Sequence, residues 1–180
     1  MSVVCRPSSF EGLECLGLRI GLSVSRLLET MLPPATSLAV KWPNDILLDG
    51  RKLAGILCES RWDGARLGWV VVGVGINLTN PLEGELADSA IGLAAKVGPT
   101  DLEAIAEAVR QDIATAGEWS GPLTELELGE FARRDCLVGR AVTAPVVGWA
   151  AGITSTGLLR IRTESGIIKE ASAGDAVAVR

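Results

Sequence analysis

The pattern of apolar and polar positions predicts a helix between two strands near the start of the chain. Through Glu11–Glu29, apolar residues recur at steps of three and four, which is the period of a helix with one buried face. Pro33-Pro34 ends this helix, because proline cannot continue the helical hydrogen-bond ladder. The short apolar runs on either side, Val3–Cys5 and Ser37–Lys41, predict strands.

Two Asp-Gly dipeptides predict a pair of consecutive hairpins. Asp49-Gly50 separates the strand candidates Ile46–Leu48 and Lys52–Glu59, and Asp-Gly is a strong signal for a tight hairpin turn. Asp63-Gly64 precedes a returning strand at Leu67–Ile76. Because that strand is apolar at nearly every position, we expect it to lie in the interior of the sheet rather than at an edge.

Helical patterns follow these strands. A short helical piece is predicted around Ala90–Lys96, and longer helices are predicted over Thr100–Ala116 and Pro122–Arg134. Both long helices begin with a hydroxyl residue three positions before a glutamate, which is the signature of a capping box. These pairs are Thr100 with Glu103 and Thr124 with Glu127.

The pattern changes near Leu137. From there on, short apolar runs alternate with glycine turns, and five short strands in the last part of the chain predict a small β-barrel. The expected fold class is α+β, with a mixed, largely antiparallel sheet flanked by helices and followed by this barrel. We therefore expect one domain at residues 1–136 and a second at 137–180. The predicted barrel strands are Arg140–Val147, Gly152–Ser155, Gly157–Arg162, Gly166–Ala171 and Ala176–Arg180.

Composition narrows the class of protein. The 180 residues are 48% apolar and 22% charged, which is typical of a globular chain. The net charge is −5 and the basic residues are dispersed, which argues against DNA as a partner. The longest nearly apolar run, Leu67–Leu78, is shorter than the roughly 20 residues that a bilayer-spanning helix needs. No signal peptide pattern is present, so we expect a cytoplasmic protein with no membrane partner.

The reactive residue types exclude several chemistries. The chain has no histidine and no tyrosine, which excludes serine–histidine and cysteine–histidine catalysis and makes a classical zinc site improbable. The four cysteines form no CxxC pair, so we expect reduced, mostly buried thiols. Catalysis would have to use lysine, arginine, carboxylates, asparagine, backbone N–H groups or a bound metal ion.

The segment KWPNDILLDGRKLAGILCES carries more polar chemistry than a hairpin needs. Lys41 ends one predicted strand and Lys52 begins another, so both can lie at related edges of one sheet. Two converging ammonium groups repel each other unless an anion, such as a carboxylate or phosphate, lies between them. The Asn44 amide could donate to a phosphate oxygen, and Asp45 could hold Mg²⁺ or a hydroxyl. Solvated lysines and ordinary turn chemistry are the structural alternatives.

Glycines inside the next strands add a second signal. Gly55 and Gly73-Val74-Gly75 interrupt apolar strands, and a glycine in a strand often marks a bulge or the close approach of a ligand. Close packing against a helix would explain them equally well. Asn77, at the end of its strand, could bond a base or an amide. Together with the lysines, these residues predict a cleft for a small anionic ligand with an apolar body.

Three motifs in this order resemble the catalytic core of biotin protein ligases. They are Lys41-Trp42-Pro43-Asn44-Asp45 with Lys52-Leu53-Ala54-Gly55-Ile56-Leu57 and Glu59, then Val72–Asn77, then Gly166–Lys169 with Gly174-Asp175. The resemblance implies that the C-terminal barrel is of the SH3 type. It also implies a two-step reaction in which ATP and Mg²⁺ activate biotin to biotinoyl-AMP. A lysine of a biotin carboxyl carrier protein then takes the biotinoyl group.

The resemblance also implies roles for the candidate residues. Lys52 would be the main catalytic cation, near the biotin carboxylate and the α-phosphate, and Lys41 would assist it. Asn44 and Asp45 would contact phosphate and metal. The remaining residues would surround the two substrates, with Gly55, Leu57, Gly73 and Val74 around biotin and Asn77 at the adenine.

The chain departs from the family pattern at its start. The arginine- and glycine-rich loop GRGRxGRxW, which precedes this strand in the family, does not occur here, and neither does a DNA-binding winged helix. Three explanations are open: a native start further upstream, a complementing N-terminal segment from another chain, or a degenerate module that binds biotin or adenylate without catalysis. We expect the 180 residues alone to be homodimeric, aggregation-prone or inactive. A lipoate-type ligase is a further alternative.

Overall fold

A computed structural model describes residues 1–6, 9, 11–79, 83–116, 120–172 and 177–178. Within these residues the chain forms two five-stranded antiparallel sheets and five α-helices. No helix in these ranges is long and apolar enough to cross a membrane. The strands are β1 Ser2–Cys5, β2 Leu38–Lys41, β3 Asp45–Leu48, β4 Arg51–Asp63, β5 Arg66–Ile76, β6 Ala141–Ala144, β7 Gly148–Ile153, β8 Leu159–Arg162, β9 Ile168–Ala171 and β10 Val177–Ala178. The helices are α1 Leu16–Met31, α2 Glu85–Ser89, α3 Ala94–Val97, α4 Leu102–Ala116 and α5 Glu125–Arg134.

The first sheet has the strand order β1-β5-β4-β3-β2. Both predicted hairpins form, because β3 pairs with β4 and β4 pairs with β5. The turn between β3 and β4 has positive φ at Asp49 (48°) and Gly50 (76°), the backbone of a type I′ turn that matches the twist of the strands. β5 lies between β1 and β4, so its predicted interior position is confirmed.

Helices cover one face of the first sheet. Alternate residues of β3, β4 and β5, including Ile46, Ile56 and Val72, are buried in a core with α1 and α4. Each apolar side chain buried there contributes about 1.5–3 kcal/mol relative to exposure, which fixes this face against the helices. α1 begins at Leu16 after a short 3₁₀ turn at Leu13–Cys15, later than the predicted helix start.

α1 packs against both sheets. Ile20 and Val24 face the first sheet, whereas Leu18 and Leu22 belong to a second apolar cluster that includes α5 and the second sheet. Trp42 is fully buried in this second cluster, and its Nε1–H donates to the Gly157 carbonyl at 2.9 Å. This cluster contains residues from both parts of the chain. The division into domains at 1–136 and 137–180 stays a prediction.

The second sheet has the order β10-β6-β7-β8-β9. With the first sheet and its helices, it confirms the predicted α+β fold class. The strand expected at Gly152–Ser155 begins earlier, since β7 starts at Gly148. Of the last predicted strand, only Val177 and Ala178 are described. Gly174-Asp175, named in the resemblance, lies outside the described residues.

One of the two predicted capping boxes is correct. Thr124 caps α5, where its hydroxyl accepts from the Glu127 N–H and the Glu127 carboxylate accepts from the Thr124 N–H. The Thr100 prediction is wrong. Asp101 Oδ1 accepts from Glu103 N–H and Ala104 N–H instead, because the helix begins one residue further along than expected.

The four cysteines are free thiols, as predicted. Cys15 is buried and the others are half-buried. Burial raises the pKa of the Cys58 thiol to about 11, and nearby Cys5 adds to the shift. A protonated, half-buried thiol is a poor nucleophile, so these cysteines pack as small apolar side chains.

Candidate active site

The second face of the first sheet is open to solvent. Side chains in a strand alternate between faces, so the residues between the core positions of β1, β4 and β5 point away from the helices. Leu57 is 58% exposed and Val4 is 55% exposed, and Glu59, two residues after Leu57 and level with Val4 across Val71, is exposed as well. An uncovered sheet face with apolar side chains is a typical surface for a ligand.

Three glycines form the floor of a cavity on this face. Gly55 lies opposite Gly75, and Gly73 lies opposite Leu57 on one side and Ser2 on the other. Because these positions carry no side chain, the backbone is exposed and a cavity of about 410 Å³ opens above it. The cavity is lined by Met1 and by residues of β1, β3, β4, β5 and the turn before β3, namely Ser2, Asn44, Asp45, Lys52, Gly55, Ile56, Leu57, Gly73, Val74 and Gly75.

A β-bulge directs Lys52 toward this cavity. Consecutive residues of β3, Ile46 and Leu47, pair with Ala54 and Lys52, so one extra residue of β4 lies between the two pairs. Without the bulge, strict alternation would place Lys52 on the same face as Ala54 and the core. The extra residue reverses the phase, and Lys52 joins the open face while Leu53 and Ala54 are both buried.

Lys52 forms an ion pair with Asp45 above Gly55. Lys52 Nζ lies 2.6 Å from Asp45 Oδ1, and the two side chains are 50% and 19% exposed. A Cβ atom at Gly55 would lie 3.3 Å from Lys52 Cε and 3.4 Å from both charged atoms, so glycine leaves room for the pair. Half-exposed pairs of this kind contribute only about 0–1 kcal/mol, so an anionic ligand can replace Asp45 as the partner of Lys52.

Asn44 holds the turn against β4. Its Nδ2 donates to the Ile56 carbonyl at 2.9 Å, and its own carbonyl accepts from the Ile56 N–H at 2.9 Å. These bonds place Asp45, the next residue, in register with Gly55. Asn44 therefore has the structural role expected of a turn residue. It also lines the cavity.

Lys41 and Asn77 do not line the cavity. Lys41 ends β2 directly opposite Asp45, so the protein itself supplies a carboxylate in register beside the lysine. Asn77 lies just after β5, where its side-chain amide donates to the Lys52 carbonyl at 3.2 Å. Lys41 is near the rim of the open face by register, whereas Asn77 contacts the backbone of the strand that carries Lys52.

The structure thus brings together seven of the nine predicted site residues. These are Asn44, Asp45, Lys52, Gly55, Leu57, Gly73 and Val74. Val74 contributes mainly backbone, because its side chain is buried in the core. Ser2 was missed, since only its pairing with Gly73, which is distant in sequence, places it at the cavity. Gly75, which belongs to the same glycine signal in β5, also lines the cavity.

The chemistry of this cavity suits a small ligand with one anionic end. Lys52 supplies a positive charge that is half exposed, Leu57 supplies apolar surface, and the glycine floor leaves room for the ligand to lie flat on the sheet. Such a combination of an apolar wall and a few polar groups is typical of small-molecule sites.

Comparison with known proteins gives consistent matches. Residues 2–77 match the model of the Biotin/lipoate A/B protein ligase family. The biotin–[acetyl-CoA-carboxylase] ligase of Paracoccus denitrificans is 34% identical over 144 residues, which cover 74% of this chain and 60% of the relative. The corresponding ligase of Mycobacterium tuberculosis is 32% identical over 174 residues, covering 92% of this chain and 62% of the relative. The chain thus spans about three fifths of the length of these relatives.

A solved structure shares the fold over nearly all of the chain. The biotin protein ligase of Aquifex aeolicus, in complex with biotin and ATP, has a TM-score of 0.79 and 29% sequence identity. The match covers 99% of this chain and 77% of the Aquifex chain. Both sheets and their helices therefore follow an architecture already observed in a ligase of this kind.

Proposed function

We propose that the chain belongs to the biotin protein ligase family and acts in the ATP-dependent attachment of biotin to a carrier protein. In the first step a biotin carboxylate oxygen forms a bond to the α-phosphorus of ATP, and the bond to pyrophosphate breaks. In the second step a lysine amine of the carrier attacks the acyl carbon, loses a proton and releases AMP.

The observation that carries this proposal is the position of Lys52. Its ammonium lies above the Gly55 floor, half exposed and paired only weakly with Asp45. The first step brings together two anions and spreads negative charge over phosphorus oxygens, so a positioned cation stabilises its transition state. Lys52 would exchange Asp45 for the reacting carboxylate and phosphate. Lys41, in register with Asp45, would add positive charge at the rim.

The rest of the cavity fits the body of biotin. Leu57 offers apolar surface, and the backbone at Gly73 and Val74 forms a flat floor whose polar groups are used within the sheet. Gly55 keeps the floor flat between that end and Lys52. We propose that biotin lies along this floor with its carboxylate toward Lys52.

Magnesium fits the site only together with the nucleotide. Among the described residues, no three His, Cys, Asp or Glu side chains converge as a metal cage. Mg²⁺ is commonly held by one or two carboxylates together with substrate phosphates. We propose that Asp45, once Lys52 turns to substrate, is the single carboxylate for this ion, with Asn44 beside it at the phosphates. When bound, Mg²⁺ would offset the charge of the triphosphate.

Labelling a carrier domain tests the proposal. The chain is incubated with biotin, ATP, Mg²⁺ and a biotin carboxyl carrier domain, and both pyrophosphate release and biotinylated carrier are measured. Labelling that requires biotin supports the proposal. Biotin binding without pyrophosphate release would instead support a non-catalytic binding module.

The same assay is repeated with lipoate in competition with biotin, because the matched family model covers both ligase types. The labelled product shows which of the two acids the chain uses. Preferential labelling with lipoate would overturn the choice of biotin. Sedimentation of the same sample, with and without a complementing N-terminal segment of the family, measures whether the active form is a homodimer, a complex or neither.

A further inference from the structure

A row of exposed side chains crosses three strands of the second sheet. Trp149 of β7 lies opposite Arg162 of β8, and Arg162 lies opposite Ile168 of β9. Their neighbours along β7 and β8, Ala150 and Ile161, are buried in the second apolar cluster, so the row points to the outer face. Trp149 is 47% exposed, and Ile168 is exposed as well. Trp149, Arg162 and Ile168 form the outer row of this sheet.

Two turns add exposed apolar surface next to the outer row. Val147, in the turn before β7, and Ile167, in the turn before β9, are both largely exposed. Because the strands are antiparallel and Trp149 lies opposite Arg162, these two turns are at the same end of the sheet. Large apolar side chains that are grouped on a surface, rather than scattered singly, mark a contact with another molecule.

The outer row carries positive charge that no carboxylate of the described residues neutralises. Arg162 has an apolar side chain on either side of it in the row, and none of the ion pairs within the described ranges includes it. Arg160, on the same face, lies opposite Glu170 in register but forms no ion pair with it. Residues 137–180 carry five basic and three acidic side chains, whereas residues 1–136 carry twelve basic and nineteen acidic ones. The outer row is therefore a basic surface on an otherwise acidic chain.

The chemistry of the outer row selects the kind of partner. Tryptophan and arginine are the residue types that most often carry the binding energy of protein interfaces. A second copy of the chain fits poorly, because a two-fold contact would place two unpaired Arg162 side chains in one interface. Protein surfaces that bind anionic membranes usually carry clusters of roughly four to eight basic residues, more than this face has. An acidic protein surface with an apolar contact of its own matches both the charge and the apolar area.

We propose that the outer row is the docking surface for the carrier domain, through a carrier face that bears carboxylates, which rests on the function proposed above. The carrier has to bring a lysine to the cavity, and the acidic first part of the chain disfavours an acidic partner. The second sheet is fixed to the part that bears the cavity, because Trp42, two residues before Asn44, is buried in the shared cluster and donates to the Gly157 carbonyl. None of the outer row residues lines the cavity, so docking leaves it free for biotin and ATP.

Two substitutions in the outer row test carrier docking by steady-state labelling. We expect Trp149→Ala and Arg162→Glu each to raise the KM for the carrier domain about tenfold or more, because each removes a central contact. Pyrophosphate release without carrier should stay within about twofold, since neither residue lines the cavity. Leu126→Ala in α5 and Arg110→Glu in α4 are the controls, because they truncate an exposed apolar side chain and reverse an exposed charge elsewhere. The same KM for the carrier in all four variants would overturn the inference.

Charge reversal on the carrier tests whether its docking face is acidic. Carrier variants are made in which single surface carboxylate residues are replaced by lysine, and each is labelled by the parent chain and by Arg162→Glu. One of these changes should bring the KM of Arg162→Glu back to within about threefold of the parent value, because opposite charges are again paired. If none does, Arg162 has no carboxylate partner on the carrier and the inference is wrong.

A binding measurement does not depend on enzymatic activity. The chain has five tryptophans, and replacing Trp149 with phenylalanine assigns its indole Nε1–H resonance. Titration with a carrier domain whose acceptor lysine is replaced by arginine should shift this resonance, and salt should weaken the effect. The indole of Trp42, which is buried and bonded to the Gly157 carbonyl, is the internal control.

The labelling and binding measurements distinguish the possible failures. A chain that releases no pyrophosphate, but whose Trp149 resonance responds to the carrier, would overturn the proposed function and support the docking surface. A Trp149 resonance that the carrier leaves unchanged would overturn the docking surface, whatever the activity. A shift caused by phosphatidylglycerol vesicles but not by the carrier would overturn it in favour of a membrane surface. A shift that depends only on the concentration of the chain would overturn it in favour of self-association.

Discussion

The ammonium group of Lys52 lies 2.6 Å from Asp45 Oδ1, across neighbouring strands whose register is displaced by a bulge. This ion pair places the cation above a floor of glycines, where the sheet presents backbone instead of side chains. The pair is half exposed on the lysine side and can be exchanged for a ligand. The site is therefore charged and open before any substrate binds.

Replacing Lys52 should slow the first chemical step. We expect Lys52→Ala to reduce the rate of pyrophosphate release by roughly 10²-fold or more, because one preorganised electrostatic group is lost. Lys169→Ala, on the exposed strand β9, is the matched control and should leave the rate unchanged. An unchanged rate in a competent Lys52→Ala enzyme would remove Lys52 from the catalytic role.

A methyl group on the cavity floor should weaken ligand binding more than folding. In Gly55→Ala the new Cβ lies 3.3–3.4 Å from Lys52 and Asp45 atoms, and the flexible lysine has to move. We expect biotin affinity, measured by calorimetry, to fall about tenfold, which corresponds to about 1.4 kcal/mol.

Gly129→Ala in α5 is the control for this change. Its Cβ would make only an ordinary contact, 3.9 Å from an Arg133 nitrogen. The variant should keep biotin affinity and gain about 0.5–1 kcal/mol of stability, because alanine is the better helix former. Equal biotin affinity in Gly55→Ala and Gly129→Ala would show that the ligand does not approach the Gly55 floor.

Alanine substitutions of the two threonines that precede long helices should have different effects on the free energy of unfolding. Thr124→Ala removes a capping box and should cost about 1 kcal/mol of unfolding free energy. Thr100→Ala removes a buried hydroxyl that has no hydrogen-bond partner within the described part of the chain, so it should be neutral or slightly stabilising. Urea unfolding of both variants measures the difference, and equal losses would contradict the assignment of Asp101 as the cap of α4.

Trp42 should stabilise the contact between the two sheets. Trp42→Phe loses the hydrogen bond to the Gly157 carbonyl and leaves that acceptor unpaired in a buried cluster. We expect a loss of about 1–3 kcal/mol in urea unfolding. Trp149→Phe, on the exposed face of the second sheet, should stay within about 0.5 kcal/mol of the parent chain. Similar losses in both variants would show that the buried hydrogen bond is not the cause.

Alkaline pH should destabilise the chain through Cys58. Burial raises the pKa of this thiol from 9.0 to about 11, so the folded state keeps a proton that the unfolded state loses. The free energy of unfolding should therefore fall as pH rises from about 9 to 11, and it should be insensitive to this group below pH 9. Cys58→Ala should show a shallower decrease over the same range. The same slope in both proteins would contradict this origin.

The local sequence pattern predicts much of the fold. The hairpin through Asp49-Gly50 forms as expected, because both residues accept the positive φ of the turn, and the Thr124 capping box forms because its partners are three residues apart. The Thr100 box fails because a competing cap, Asp101, lies one residue further along. Two equally plausible local partners cannot be ranked without knowing where the helix is packed.

The candidate site, like the fold, is only partly predictable from the sequence. The sequence by itself determined which residues carry the chemistry, since Lys52, Asp45 and the glycines are unusual within apolar strands. Only the tertiary structure decided where those groups point. The face of Lys52 depends on a bulge, and the bulge depends on which residues of β3 and β5 pair with β4. Strand register is a non-local property, because hydrogen bonds and burial across the sheet select it.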